Sequence, residues 1–236
     1  MTLRPLIFLI ALFAVAAAAC STSATAEQEF SETPTAVKIT SGAGDVTVTA
    51  DDSGASVTAE ISAAGEETTW SAEMVGGELV IDDGCGDRAD CEVDFSITVA
   101  GTADVAIDTD DGTIAVVDMN SSVTIRGSAR SVGLNGIIGP LTVDLVKGDV
   151  LGARLVSTDA FFNTGDGDLD VTLTEAFDSL TVTSGSGDVT AQVPDGDYDI
   201  DASGTGTIDI KVNDVDGAAP TIVMATDSGD VTIYKR

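Results

Sequence analysis

Thr183-Ser184-Gly185-Ser186-Gly187-Asp188-Val189-Thr190 separates two runs of alternating apolar residues. Alternating residues precede it through Leu180 and Val182, and another alternating run follows from Val189. Small residues and glycine between two period-two runs read as a tight turn joining two strands. A phosphate-cradling loop is the competing reading. Such loops occur once, lead into a helix and often carry Lys. This one leads into a strand, carries Asp188, and recurs as Ser41-Gly42-Ala43-Gly44-Asp45-Val46-Thr47 and as Ser228-Gly229-Asp230-Val231-Thr232.

The phrase belongs to a longer unit. It has apolar residues at offsets 0 and 2, a small or polar residue at 4, Gly at 7, Asp or Thr at 8, and an apolar residue at 9. Val37, Ile39 and Ser41 with Gly44, Asp45 and Val46 make the first copy. Val105-Ile107-Thr109 continues to Gly112-Thr113-Ile114, and Leu141-Val143-Leu145 to Gly148-Asp149-Val150. Ala160-Phe162-Thr164 leads to Gly167-Asp168-Leu169, and Leu180-Val182-Ser184 to Gly187-Asp188-Val189. Tyr198-Ile200-Ala202 reaches Gly206-Thr207-Ile208 with one extra residue, and Ile222-Met224-Thr226 reaches Gly229-Asp230-Val231. The copy at Val123-Ile125-Gly127 has Arg130-Ser131-Val132 and lacks the glycine.

Unit starts from 105 to 222 are 18 to 24 residues apart. A near-fixed period of this size is the mark of stacked repeats. The expected fold is all-β: a single-stranded, β-helix-like β-solenoid of 18–24-residue turns. Gly at offset 7 serves a positive φ or a close approach between stacked turns. Asp, Ser or Thr at offset 8 hydrogen-bonds nearby amides. Residues 48–104 alternate as strands but lack the Gly-Asp step. They read as an irregular antiparallel insertion near the N-terminus, with a hairpin turn at Gly76-Gly77. The last unit, ending Tyr234-Lys235-Arg236, leaves its backbone unpaired unless the fold or another chain covers it.

The chain has 236 residues, 10 Lys and Arg against 40 Asp and Glu, a net charge of −30, and no His. That charge repels nucleic acid and anionic headgroups. The absence of His removes Ser-His-Asp and Cys-His nucleophile systems and any His metal ligand. Residues 1–19 carry Arg4 and then an apolar run ending Ala17-Ala18-Ala19-Cys20, too short for a span of about 20 residues and suited to a signal peptide. Two cleavage readings stand. One cuts before Cys20, which is lipidated as in a lipoprotein and anchors the chain to a membrane through residues 20–36 as a flexible tether. The other is an ordinary cut after Ala19 or Ala26, giving a secreted protein. Cys85 and Cys91, six apart in a polar loop, are most simply a local disulfide in an exported chain. A redox or metal pair is disfavoured, because the spacing is not C-x-x-C.

Acid-rich runs invite a Ca²⁺ reading: Asp108 with Asp110 and Asp111; Asp166, Asp168 and Asp170; Asp195, Asp197, Asp199 and Asp201. Solvated strand faces and turn capping account for them more simply, and no metal or other cofactor is expected. Paired carboxylates also open a polysaccharide-acting β-helix enzyme as an alternative. A chain this acidic shows such pairs by chance, and no catalytic residue is singled out. Arg126, Arg130, Lys147 and Arg154 are the central cations, and would hold a polyanion only if they shared a face.

The repeated Ser-Gly-x-Gly-Asp-Val phrase, with Ile107-Asp108-Thr109-Asp110-Asp111-Gly112-Thr113-Ile114, resembles the bacterial "putative adhesin" domain of unknown function. The resemblance spans residues 37–236. It implies an envelope-associated β-solenoid and brings no catalytic residues. The expectation is an exported, non-enzymatic adhesive or structural module, lipid-anchored on the extracytoplasmic side through Cys20, with an envelope protein or glycan as partner. A Ca²⁺-binding surface module is the alternative. Binding would use a stacked β-face or an open end.

Overall fold

A computed structural model describes residues 22–51, 54–63, 70–86 and 91–236. The segment expected to be a signal peptide, residues 1–19, and Cys20 lie outside the described residues. Those described form twenty strands and no helix. In chain order the first seven are β1 (Thr22–Phe30), β2 (Ala36–Ser41), β3 (Val46–Ala50), β4 (Ala55–Ala63), β5 (Ser71–Val75), β6 (Glu78–Asp82) and β7 (Cys91–Val99). Next come β8 (Asp104–Thr109), β9 (Thr113–Val117), β10 (Val123–Asn135), β11 (Leu141–Leu155), β12 (Asp159–Thr164) and β13 (Leu169–Leu173). The chain ends with β14 (Ser179–Ser184), β15 (Val189–Val193), β16 (Asp197–Gly204), β17 (Ile208–Lys211), β18 (Asn213–Asp214), β19 (Thr221–Thr226) and β20 (Val231–Lys235).

Each repeat supplies one strand to each of two long parallel ladders. The first runs β6–β2–β8–β10–β11–β12–β14–β19–β16. The second runs β7–β3–β9–β10–β11–β13–β15–β20–β17. Register follows the sequence phrase: Val182 pairs with Phe162 and with Met224, and Val189 with Leu169 and with Val231. Alternation then does what period two requires. Leu180, Val182, Val189, Ala191 and Val193 are fully buried, and inward residues of both ladders join one apolar cluster.

The layers do not follow chain order at either end. The last repeat, β19 and β20, lies inside the stack, between β14/β15 and β16/β17. Tyr234-Lys235-Arg236 is therefore not the open edge; the fold itself covers that repeat. The mirror arrangement holds at the other end, where β6 and β7 lie outside β2 and β3. β6 and β7 thus form a further parallel layer, where the sequence reading had only antiparallel insertion. The Cys85–Cys91 disulfide links this layer's two strands across the segment between them, with Cα atoms 5.6 Å apart. Among the described residues antiparallel pairing is confined to β4 with β7, β5 with β6, and β1 with β4. These cap that end, with Trp70 edge-on to Phe95 at 6.1 Å.

Two further corrections concern local structure. Thr22–Phe30, expected within a flexible tether, is a strand paired along its length with β4. Phe30 packs against the core and the Gln28 amide donates to the Ala72 carbonyl at 3.0 Å. A neighbour's backbone orders it, which Ser/Thr/Glu composition does not reveal. In the unit read as Tyr198-Ile200-Ala202, it is Ile200 that pairs with Ile222. The repeat starts two residues later and is short by one, because Ile208 pairs with Val231. A slip of two keeps every side chain on its face, so alternation cannot detect it.

Candidate functional site

The Gly-Asp turn is built from three columns running along the stack. Innermost are hydroxyls. Ser184 Oγ donates to the Gly167 carbonyl at 2.9 Å, Thr226 Oγ1 to that of Gly187 at 2.8 Å, and Thr164 Oγ1 to that of Gly148 at 3.2 Å. Next are the glycines, each lying against the carbonyl of the layer before. A Cβ on Gly187 would sit 2.2 Å from the Gly167 oxygen, and one on Gly229 2.1 Å from that of Gly187. Gly44, Gly112, Gly148, Gly167, Gly187 and Gly229 all have positive φ, while Gly206 meets the Gly229 carbonyl without it. In the layer lacking this glycine, Gly127 takes φ +111 against the Thr109 carbonyl.

Outermost is a column of aspartates. The Asp168 amide donates to Asp149 Oδ1 at 2.9 Å, and the Asp188 amide to Asp168 Oδ1 at 2.8 Å. The Asp230 amide donates to Asp188 Oδ1 at 2.8 Å, and the Thr207 amide to Asp230 Oδ1 at 2.6 Å. Asp45 does the same for Thr113 at 2.8 Å. These amides are the ones a phosphate would need. Gly187 and Val189 also donate to neighbouring carbonyls of Ser228 and Asp230, both at 2.9 Å. The turn is thus engaged with the next layer rather than with a ligand. Asp188→Ala removes the acceptor for Asp230 and is expected to cost about 1 kcal/mol in urea denaturation. Asp188→Asn keeps an acceptor and relieves like charge along the column, so it should match or exceed the wild-type midpoint.

The other carboxylates are dispersed. Asp108 and Asp144 stand in register on either side of Arg126. Asp111 lies 3.9 Å from Arg130, whose guanidinium also reaches Asp45 at 3.1 Å. Asp195 meets Lys235 at 2.6 Å, and Asp197 accepts from the Asn213 amide at 3.0 Å. Among the described residues no three acidic or Cys side chains converge as a metal-holding group. Nor do the cations share a face. Arg126 stands on the outer side of β10, Arg130 and Lys147 are exposed midway along β10 and β11, and Arg154 is near the end of β11, 3.1 Å from Asp118. These pairs are more than half exposed and contribute little to stability.

Two surface features were not singled out by the sequence. One is a shallow depression of about 390 Å³ on the outer face of the second ladder. Ala115, Ser131, Gly133, Asp149, Leu151 and Asp170 are among the residues that line it. Its only signal in sequence is a glycine at an outward position of β10. The other is the end layer. Tyr198 stacks on Phe177 at 5.6 Å and donates its hydroxyl to the Pro194 carbonyl at 2.7 Å. Burial, and then the Asp195 charge, push its phenol above the ordinary value. Beyond it the layer is thinly covered, with Ile208 43 % and Val215 44 % exposed.

No family profile and no curated protein matches the chain. Solved structures do. A "putative adhesin" from Bacteroides fragilis, 13% identical, matches over 92% of this chain and 99% of its own, with a TM-score of 0.53. A "putative cell adhesion protein" from Clostridium sporogenes, 12% identical, matches over 91% of this chain and 100% of its own, with a TM-score of 0.40. At this identity the first of these shows a shared fold.

Proposed function

We propose that this chain is a non-enzymatic, exported β-solenoid acting as an adhesive or structural module of the bacterial envelope, anchored by lipid on Cys20. The observation that carries the reading is the commitment of the repeated turn: its hydroxyls, amides and carboxylates bind the neighbouring layer, so the repeat builds a scaffold. The fold shared with an adhesin-named bacterial protein supports the same reading.

Anchorage has a geometric corollary. One residue separates Cys20 from β1, so a lipid there would hold the capped end close to the membrane. Eleven strands stacked about 4.8 Å apart then carry the other end roughly 50 Å outward. The test is metabolic fatty-acid labelling of the full chain in a bacterial host, with fractionation. Label and membrane association are expected for wild type and lost in Cys20→Ala. Label that persists in the variant overturns the anchor. Failure of purified protein to bind isolated envelopes overturns the adhesive role.

A further inference from the structure

We propose that the uncovered edge of the end layer, β16 with β17, takes up an extended basic segment of an envelope partner as an added strand. This rests on the exported-module reading and names the surface such a module would use. Among the described residues β17 pairs only with β20, and β16 beyond Tyr198 only with β19. The chain itself shows that the edge accepts a strand. Asn213–Asp214 lies parallel against Asp197 and Tyr198, the Ile200 amide donates to Asp214 Oδ1 at 3.3 Å, and the segment then turns away.

Peptide directions say which groups remain outward. Thr207 donates to Asp230 and accepts from the Val231 amide, both in the layer beneath. In a parallel strand, successive residues point their amide and carbonyl to opposite sides. Ile208 and Ile210 therefore turn theirs away from the stack. By the same alternation from Asp199, which donates to the Pro220 carbonyl, so do Ala202 and Gly204. Apolar cover is incomplete along this line. Ile200, Ala202, Ile210 and Val212 are half-buried, whereas Ile222, Met224, Val231 and Ile233 just beneath are fully buried. A strand whose inward residues are aliphatic would complete the layer.

Charge selects the occupant. Asp199, Asp201 and Asp209 lie on the end strands, with Asp214 beside them, and Lys211 is paired with Asp209. A second copy of a chain with net charge −30 would bring acid against acid. A segment alternating aliphatic residues with Lys or Arg satisfies both the apolar line and the carboxylates.

The experiment uses the purified mature chain and two twelve-residue probes, one alternating Val with Lys and one alternating Val with Glu. The Lys probe is expected to bind and to slow amide hydrogen exchange at Ala202, Gly204, Ile208 and Ile210, and the Glu probe to do neither. Ile210→Pro removes an outward amide without touching the ladder to β20, and should weaken binding roughly threefold to tenfold. No binding, binding without protection at those amides, or protection that grows with protein concentration alone would each overturn the proposal. The last outcome would mean that a second copy covers the edge. Failure here leaves the envelope reading to its labelling test, since the peptide assay contains no membrane.

Discussion

Ile233→Asp is expected to destabilise the protein severely, and Ile210→Asp to be tolerated. Ile233 is three residues from the C-terminus and Ile210 is twenty-six from it. A stack laid down in chain order would make Ile233 the tolerant position. The observed order makes it internal. Ile233 is fully buried, in a strand flanked by β15 on one side and β17 on the other. A carboxylate there has neither water nor a partner, and the cost should be about 4–5 kcal/mol. Ile210 is half-buried in the end layer, where a carboxylate can reach solvent. Its replacement should cost about 1–2 kcal/mol. Urea midpoints of the two variants decide the matter; the reverse ranking would refute the layer order.

Gly187→Ala carries the second large effect. Gly187 has φ +137, and an added Cβ would meet the Gly167 carbonyl oxygen at 2.2 Å. Two costs are combined there, backbone strain and a collision with the next layer. Gly54 separates them, since it has φ +141 and nothing within 4 Å of an added Cβ. Gly54→Ala should therefore report strain alone, about 1–2 kcal/mol. Gly187→Ala should cost about 4 kcal/mol, because the colliding atom is backbone and cannot rotate aside. Equal melting temperatures for the two variants would show that the stacked turns are not in close contact.

The alternation and the Gly-Asp phrase made the strands, their turn and the buried set legible from sequence. They do so because each inward position is apolar in layer after layer. Chain order in the stack was not legible. Every repeat presents similar strand edges above and below, so a period of 18–24 residues is compatible with any neighbour. The start of the Tyr198 repeat was hidden by the two-residue slip. The strand at Thr22–Phe30 was hidden because edge pairing uses backbone, which a polar sequence supplies as well as an apolar one. The end layer escaped notice for a related reason. Ile208 and Ile210 look like any other inward pair until the layer above them is found to be missing.

The interleaved ends also constrain how this protein can change in length over evolution. Between residues 104 and 193 each repeat lies beside its sequence neighbours. Duplicating one unit there, of roughly 18–20 residues, adds a layer and leaves both termini undisturbed. A copy appended after Arg236 would have no free edge beside β19 and β20, because β16 and β17 already occupy it. Related chains of different length should therefore gain and lose repeats in the middle, while the out-of-order segments at each end persist as a fixed pair of closures.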